Sequence, residues 1–193
     1  MGARLLRATD YRRVRWKNDG GWTTELAAAP SADLAGFEWR ISIADVERSG
    51  AFSVFPGCER HIALLEGPGM ELQFGDGAPP ITLDRRLRFH AFSGDVAASG
   101  RLLGGPVRDF NVIVQRDRHE ANVLHRPLVG PMVFLADPAT TWFAHLLGGK
   151  ARLDDVDAEL AAGESLLLEP DAAARNRVLS GGGELVIVKL TRR

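Results

Sequence analysis

Between Trp16 and Trp22 the chain sets two indoles, an ammonium and a carboxamide around a glycine pair. The full stretch, Arg15-Trp16-Lys17-Asn18-Asp19-Gly20-Gly21-Trp22-Thr23-Thr24-Glu25, does not read as a core strand. Gly20-Gly21 permits positive φ and close backbone approach, and Asn18-Asp19 favours a turn just before it. The indoles offer apolar wall and Lys17 and Asn18 offer placed donors, which is how a pocket for a small polar ligand is composed. Of 24 basic residues only Lys17, Lys150 and Lys189 are lysines, so a lysine in this turn marks a place for a compact ammonium. The same residues also suit a surface hairpin whose tryptophans cover one end of a barrel.

Further along, Arg40, Ser42, Asp45, Ser53, Arg60, Asp109 and Asn111 add to the polar set. Guanidinium and ammonium groups together suit a carboxylate, and Asn and Ser can orient it. The candidate ligand-binding residues are therefore Trp16, Lys17, Asn18, Trp22, Arg40, Ser42, Ser53, Arg60, Asp109 and Asn111. Each has a structural reading too. Arg40 and Asp45 could pair across a strand end, and Asp109 and Asn111 could satisfy backbone groups at a strand start. The set is compatible with binding and specifies no reaction, so no catalytic residue is assigned.

Metal chemistry has little to work with. The five histidines (His61, His90, His119, His125 and His145) form no His-x-His pair, and only His119 has a neighbouring carboxylate, Glu120. Divalent-metal sites need several converging ligands with groups behind them to orient them. No Gly-x-Ser-x-Gly elbow occurs, and Cys58 has only His61 near it in sequence. Gly181-Gly182-Gly183 reads as a hairpin turn before the last strand. No cofactor is expected.

The elements that must position the polar set are strands. Phe37 to Val46 has period two, with Phe37, Trp39, Ile41 and Ile43 on one face and Glu38, Arg40, Ser42 and Ala44 on the other. In a half-buried sheet Arg40 would be solvated, whereas in a barrel either face can line a cavity. Glycine (21) and proline (10) punctuate the whole chain, and helical periodicity is scarce. Asp154 to Ala162 reads as a short helix or as a turn into a strand. Two series of short strands meet at the charged connector Arg116 to Glu120. Leu65-Glu66-Gly67 resembles Leu146-Leu147-Gly148-Gly149, and Gly94-Asp95 resembles Gly163-Glu164. The expected fold is all-β, two tandem cupin-like β-barrels over residues 1–117 and 118–193.

Composition narrows the function classes. With 45% hydrophobic residues, 25% charged residues and a net charge of −1, this is an ordinary globular composition. Arg85-Arg86-Leu87-Arg88 is too short a run for a nucleic-acid footprint. No segment is long and apolar enough for a transmembrane helix, no signal-type apolar block opens the chain, and the lone Cys58 fits a buried thiol. A cytoplasmic protein is expected, with no nucleic-acid or membrane partner and a homodimer as one possible state.

Three long motifs carry a resemblance. Arg15-Trp16-Lys17-Asn18-x-Gly20-Gly21-Trp22-Thr23 comes first, followed by Phe37-x-Trp39-Arg40-Ile41-Ser42-Ile43-Ala44-x-Val46 and Gly50-x-Phe52-Ser53-x-Phe55-Pro56-Gly57. Leu65-Glu66-Gly67-x-Gly69-Met70-x-Leu72, Phe92-x-Gly94-Asp95 and Asp109-Phe110-Asn111-Val112 extend it. Together they resemble the HutD/Ves family, most strongly up to about residue 115, with His61 where a smaller or hydroxylated residue is expected. The resemblance implies a bicupin without the usual cupin metal ligands, associated with histidine utilisation in a regulatory, ligand-binding role. Compounds on that pathway are small carboxylates such as urocanate or a formylated or formiminated glutamate; by residue type Arg40, Arg60 and Lys17 would suit such anions, and Trp16 or Trp22 could stack on an imidazole. A hydrolase or isomerase using the same pocket, with Lys17 or Asp109 as acid or base, is the alternative. A scaffold that binds another protein is the third reading.

Overall fold

The computed structural model describes residues 1–30, 36–154, 156, 158–173 and 175–193. Among them are sixteen strands, one 3-10 turn (Ala8–Asp10) and no α-helix. The chain forms two compact units, Tyr11–Arg118 and a second made of Met1–Asp10 with His119–Arg193.

The opening strand, β1 (Gly2–Leu6), corrects the expected division of the chain. Instead of joining the first barrel, it pairs antiparallel from Gly2↔Glu169 to Leu6↔Ser165. The reason is apolar burial: Met1 is buried in a leucine-rich cluster of that unit, and Ala3 and Leu5 pack against it.

The N-terminal unit contains β2 (Arg12–Arg15), β3 (Gly21–Pro30), β4 (Phe37–Val46), β5 (Gly50–Ala51) and β6 (Cys58–Glu66). It continues through β7 (Met70–Phe74), β8 (Ile81–Leu83), β9 (His90–Ser93), β10 (Ala98–Leu102) and β11 (Val107–Gln115). Six strands form one sheet in the order β2-β3-β4-β11-β6-β9, and four form another in the order β5-β10-β7-β8. Ala44, Val46, Ile62, Leu64 and Val107 of the first sheet meet Met70, Leu72 and Leu83 of the second in one apolar cluster.

That cluster settles which face of β4 turns inward. Val46 and Ala44 belong to the core, so Ser42 and Arg40, at the same parity, lie on the same inward face. The strand reads from apolar to charged along its inner side.

The C-terminal unit contains β12 (His119–Phe134), β13 (Thr140–Leu153), β14 (Glu159–Ala161), β15 (Ser165–Glu169) and β16 (Arg177–Arg192). Its sheet has the order β1-β15-β13-β16-β12, with β14 added on β13. Segments that read as separate strands are continuous here. Arg126–Leu128 and Val133–Leu135 mostly fall within β12, and β13 unites Thr141–Leu147 with Ala151–Leu153. Of the stretch left open between helix and turn, Asp155 and Asp157 lie outside the described residues, and Glu159–Ala161 is strand.

Gly181-Gly182-Gly183 is not a hairpin turn but part of β16, paired with Gly149, Lys150 and Ala151 of β13. A Cβ at Gly181 would stand 2.2 Å from the Lys150 carbonyl oxygen, and one at Gly183 would stand 2.1 Å from that of Gly148. The glycines are there to let two backbones approach, not to reverse the chain. Gly67 and Gly149, which lie in the two segments of the internal repeat, share positive φ (103° and 93°) and a neighbouring backbone too close for a Cβ.

Among the described residues no helix is long and apolar enough to cross a membrane.

Candidate functional site: an arginine-lined cavity in the N-terminal unit

The strand register lays out the floor of a cavity. In one row Glu25 of β3, Ser42 of β4 and Asn111 of β11 lie side by side. In the next row Arg40 of β4, Ile113 of β11, Arg60 of β6 and Phe92 of β9 do the same. Arg40 and Arg60 are thus two strands apart, roughly 10 Å between Cα atoms, with Ile113 between them. A third row places Thr23, Ala44 and Asp109 together at the apolar end. The cavity above this floor has a volume of about 610 Å³.

Two segments wall it in. One is the turn between β2 and β3, which contributes Trp16, Lys17 and Asn18 to the lining. Gly20 N–H donates to Asn18 Oδ1 at 3.0 Å, and Glu47 N–H donates to the Gly20 carbonyl at 2.8 Å. A Cβ on Gly21 would stand 2.1 Å from the Asp45 carbonyl oxygen, so glycine is what lets the turn rest on β4. The Trp16 indole N–H donates to Thr23 Oγ1 at 2.8 Å and its ring meets Phe52 edge-on. Lys17 is exposed at the rim.

The second wall is the segment after β5, which supplies Phe52, Ser53 and Phe55. Phe52 N–H donates to the Ala98 carbonyl and Phe55 N–H to that of Gly94. Below it, Asp95 accepts from Gly57 N–H and Ser93 Oγ and pairs with Arg116, which also donates to the Cys58 carbonyl. These contacts hold the Asp95 carboxyl at about 2, the Gly57 N–H contributing most. Cys58 is buried as expected, and burial pushes its thiol up.

Arg60 is the most enclosed cation of the cavity lining, 4% exposed. Its guanidinium lies 4.9–5.5 Å from the ring centroids of Phe92, Phe55 and Phe52. A weakly hydrated planar cation is suited to such a box. Burial lowers Arg60 to about 10, which leaves it charged at neutral pH. Nη2 donates to Asn111 Oδ1 at 2.9 Å and Nη1 makes a 3.4 Å contact with the Ser53 carbonyl. Five N–H groups serve two protein acceptors, so donors remain for a ligand. Arg40 sits over Phe37 and Phe55; burial lowers its pKa, against the pull of Glu25.

Beneath Asn111 the network ends in a buried carboxyl. Asn111 Nδ2 donates to Asp109 Oδ1, while Asp109 Oδ2 is buried without a partner. Arg60 can only donate, so the amide must turn its oxygen to Arg60 and its nitrogen to Asp109. Burial raises Asp109 to about 7, opposed by Arg60 and Asn111.

The structure brings Trp16, Lys17, Asn18, Arg40, Ser42, Ser53, Arg60 and Asn111 to the cavity lining. Trp22 and Asp109 do not reach it. Alternation along β3 sends Thr23 inward and Trp22 to the opposite face, where Arg13 and Arg15 lie 4.9 and 5.0 Å from its ring centroid. Asp109 stands behind Asn111. The suggested Arg40–Asp45 pair does not form; Asp45 faces the other side and binds Arg13 and Arg108. Glu25, Thr23, Phe52, Phe55, Arg12 and Arg15 also line the cavity. The signal for Thr23 and Glu25 was their shared parity on β3, and for the phenylalanines their place in the Gly50–Gly57 motif. Among the described residues no group of three or more His, Cys, Asp and Glu side chains could hold a metal ion.

Fold and site together define an all-β protein of two cupin-like units with a cation-lined cavity in one of them. The sequence model of the HutD family matches residues 8–187, and the chain belongs to that family. It is 49% identical over 121 residues to an uncharacterised 21.2 kDa protein in the hutC 3′ region of Pseudomonas putida. Protein Ves of Cronobacter sakazakii is 30% identical over 177 residues, 91% of this chain and 92% of its own. The matched stretch spans 62% of the P. putida protein and 56% of protein Ves from Citrobacter koseri. HutD from Pseudomonas fluorescens SBW25 superimposes with a TM-score of 0.84 over 100% of both chains, at 33% identity. The Escherichia coli pirin YhhW, solved in complex with nickel(II), shares the fold with a TM-score of 0.72 at 10% identity over 98% of this chain and 99% of its own.

Proposed function

We propose that this protein binds a small anionic metabolite in the N-terminal cavity, without a metal, and thereby modulates histidine utilisation. The observation that carries the reading is charge. Among the described residues Arg12, Arg15, Lys17, Arg40 and Arg60 line the cavity, against a single carboxylate, Glu25. The Arg15 guanidinium lies over Trp22 on the other face and pairs with Asp19 and Glu47, so it adds no charge to the cavity, and four cations are left against one anion. Aromatic walls and a volume of about 610 Å³ suit a compact planar or short-chain acid. The link to histidine utilisation rests on membership of the HutD family and on the hutC-adjacent relative, and it makes urocanate and formylated or formiminated glutamate the first ligands to try.

The test is a thermal-shift titration with urocanate, formylglutamate and formiminoglutamate, on the native protein and on Arg40→Ala. Saturable stabilisation by one acid, lost in the variant, supports the reading. No shift with any of the three acids removes this ligand class. The alternative, a hydrolase or isomerase, needs an acid–base group that touches the substrate. Asp109 is separated from the cavity by Asn111, which leaves Lys17 as that reading's candidate.

A further inference from the structure

Among the described residues Glu25 is the one acidic side chain in a cationic lining, and the proposed anion binding gives it no role. Its side chain forms no ion pair or hydrogen bond among the described residues; it acts electrostatically on Arg40, on the adjacent strand and in the next row, and Arg12 of β2 stands directly across from it in register without pairing with it. Alternation along β3 turns it inward with Thr23, and the strand is re-phased directly after it. Between Glu25 and Ala27 the β3–β4 register shifts, so that Glu25 pairs with Ser42 while Ala27 pairs with Ile41. The extra residue, Leu26, is buried. A bulge at this point turns both Glu25 and Ala28 to the inner face although they are three residues apart, opposite Ser42 and Arg40. A carboxylate placed here weakens the attraction for any anion. It is advantageous only if the ligand also carries a group that a carboxylate can accept from.

We propose that Glu25 determines specificity: it accepts a hydrogen bond from an N–H donor (imidazole, amide or amidine) on a ligand whose carboxylate is held by Arg40 and Arg60. The cavity thereby prefers such acids to acids of the same size and shape that lack the donor. The inference rests on the anion site proposed above. The Ser42–Asn111 row, between Glu25 and the Arg60 side of the floor, is polar throughout and gives the ligand's middle portion neutral partners.

The experiment is calorimetric titration with two planar acrylates, urocanate and its furan counterpart furylacrylate, which has a ring oxygen and no N–H. Native protein, Glu25→Ala and Glu25→Gln are compared, with a denaturation curve for each to show that it folds. The native protein is expected to favour urocanate by about 10-fold or more, as for a hydrogen bond to a charged acceptor. In Glu25→Ala that preference collapses, with furylacrylate binding unchanged or tighter, and Glu25→Gln, which keeps an acceptor oxygen, retains part of it. Equal tightening of both acids in Glu25→Ala would show that Glu25 only repels anions, and would overturn the proposal while leaving the anion site standing. Equal native affinity for the two acids overturns it in the same way. Failure of both acids to bind the native protein overturns this inference, and if formylglutamate and formiminoglutamate also give no thermal shift the anion site falls with it.

Discussion

Arg60 and Asn111 are joined by a 2.9 Å hydrogen bond under the cavity, and Asn111 passes the contact on to the buried Asp109 carboxyl. A ligand anion on Arg60 therefore competes with Asp109 for one positive charge. Asp109 sits at about 7, so the added negative charge should make it take up a proton. Titrations near neutral pH in two buffers of different ionisation enthalpy should show net proton uptake on binding, with affinity falling as pH rises above 7. Asp109→Asn should abolish both effects. Equal heats in the two buffers would show that the relay is electrically silent.

The same carboxyl makes stability depend on pH with a definite sign. Asp109 is raised in the folded state, so its contribution is fully present below the ordinary carboxylate range and is lost as pH rises through about 7. Asp95 behaves oppositely: held at about 2, it contributes above the ordinary carboxylate range and loses that contribution as pH falls towards 2. Urea denaturation across both ranges should show Asp109→Asn flattening the slope between about 4 and 7, and Asp95→Asn flattening the acid limb.

Removing Arg60 strips Asp109 of its counter-charge. Arg60→Ala should cost about 3–5 kcal/mol at pH 8, where Asp109 is ionised, and less at pH 5, where the carboxyl is neutral. Chemical denaturation at the two pH values checks this. A loss of equal size at both would assign the cost to the aromatic box around the guanidinium instead.

In the C-terminal unit the glycine run predicts a sharp contrast. Gly181→Ala or Gly183→Ala forces a Cβ to within about 2.2 Å of a β13 carbonyl, and should destabilise by roughly 2–3 kcal/mol or more. At Gly182 a Cβ meets nothing within 4 Å, and its alanine variant should stay within about 0.5 kcal/mol of the native protein. Melting temperatures of the three variants decide it.

Tryptophan fluorescence should separate the two indoles of the opening motif. Trp16 lines the cavity and Trp22 lies on the other face of the sheet between two guanidiniums. A ligand-induced change in emission should survive Trp22→Phe and disappear in Trp16→Phe. The reverse result would place the ligand outside the cavity.

Much of this architecture could be read from local pattern. Period-two alternation in Phe37–Val46 and glycine–proline punctuation announced an all-β chain, and the Trp16–Trp22 motif marked one wall of the cavity. Strand continuity was harder. Gly181-Gly182-Gly183 has the composition of a turn, and only the approach of β13 shows that it is a stretch of strand with no room for side chains. The placing of β1 was equally hidden, because its partner β15 lies at the far end of the chain (Gly2↔Glu169 to Leu6↔Ser165).

For the site, the sequence by itself determined the chemistry: two arginines, a lysine, an asparagine pair and aromatic rings, in a chain with no metal-ligand spacing and no nucleophile elbow. Tertiary structure decided which of them meet. Alternation defines two faces but not which is inward, and the choice fell to Val46 and Ala44, which pack on the second sheet and carry Ser42 and Arg40 inward with them. The same parity rule excluded Trp22. That rule turned Glu25 inward beside Ser42, and a bulge after it, invisible in composition, re-phased β3 so that Ala28 comes to lie opposite Arg40. Residue types are a property of the chain; convergence requires cross-strand register, which is set by pairing between segments distant in sequence.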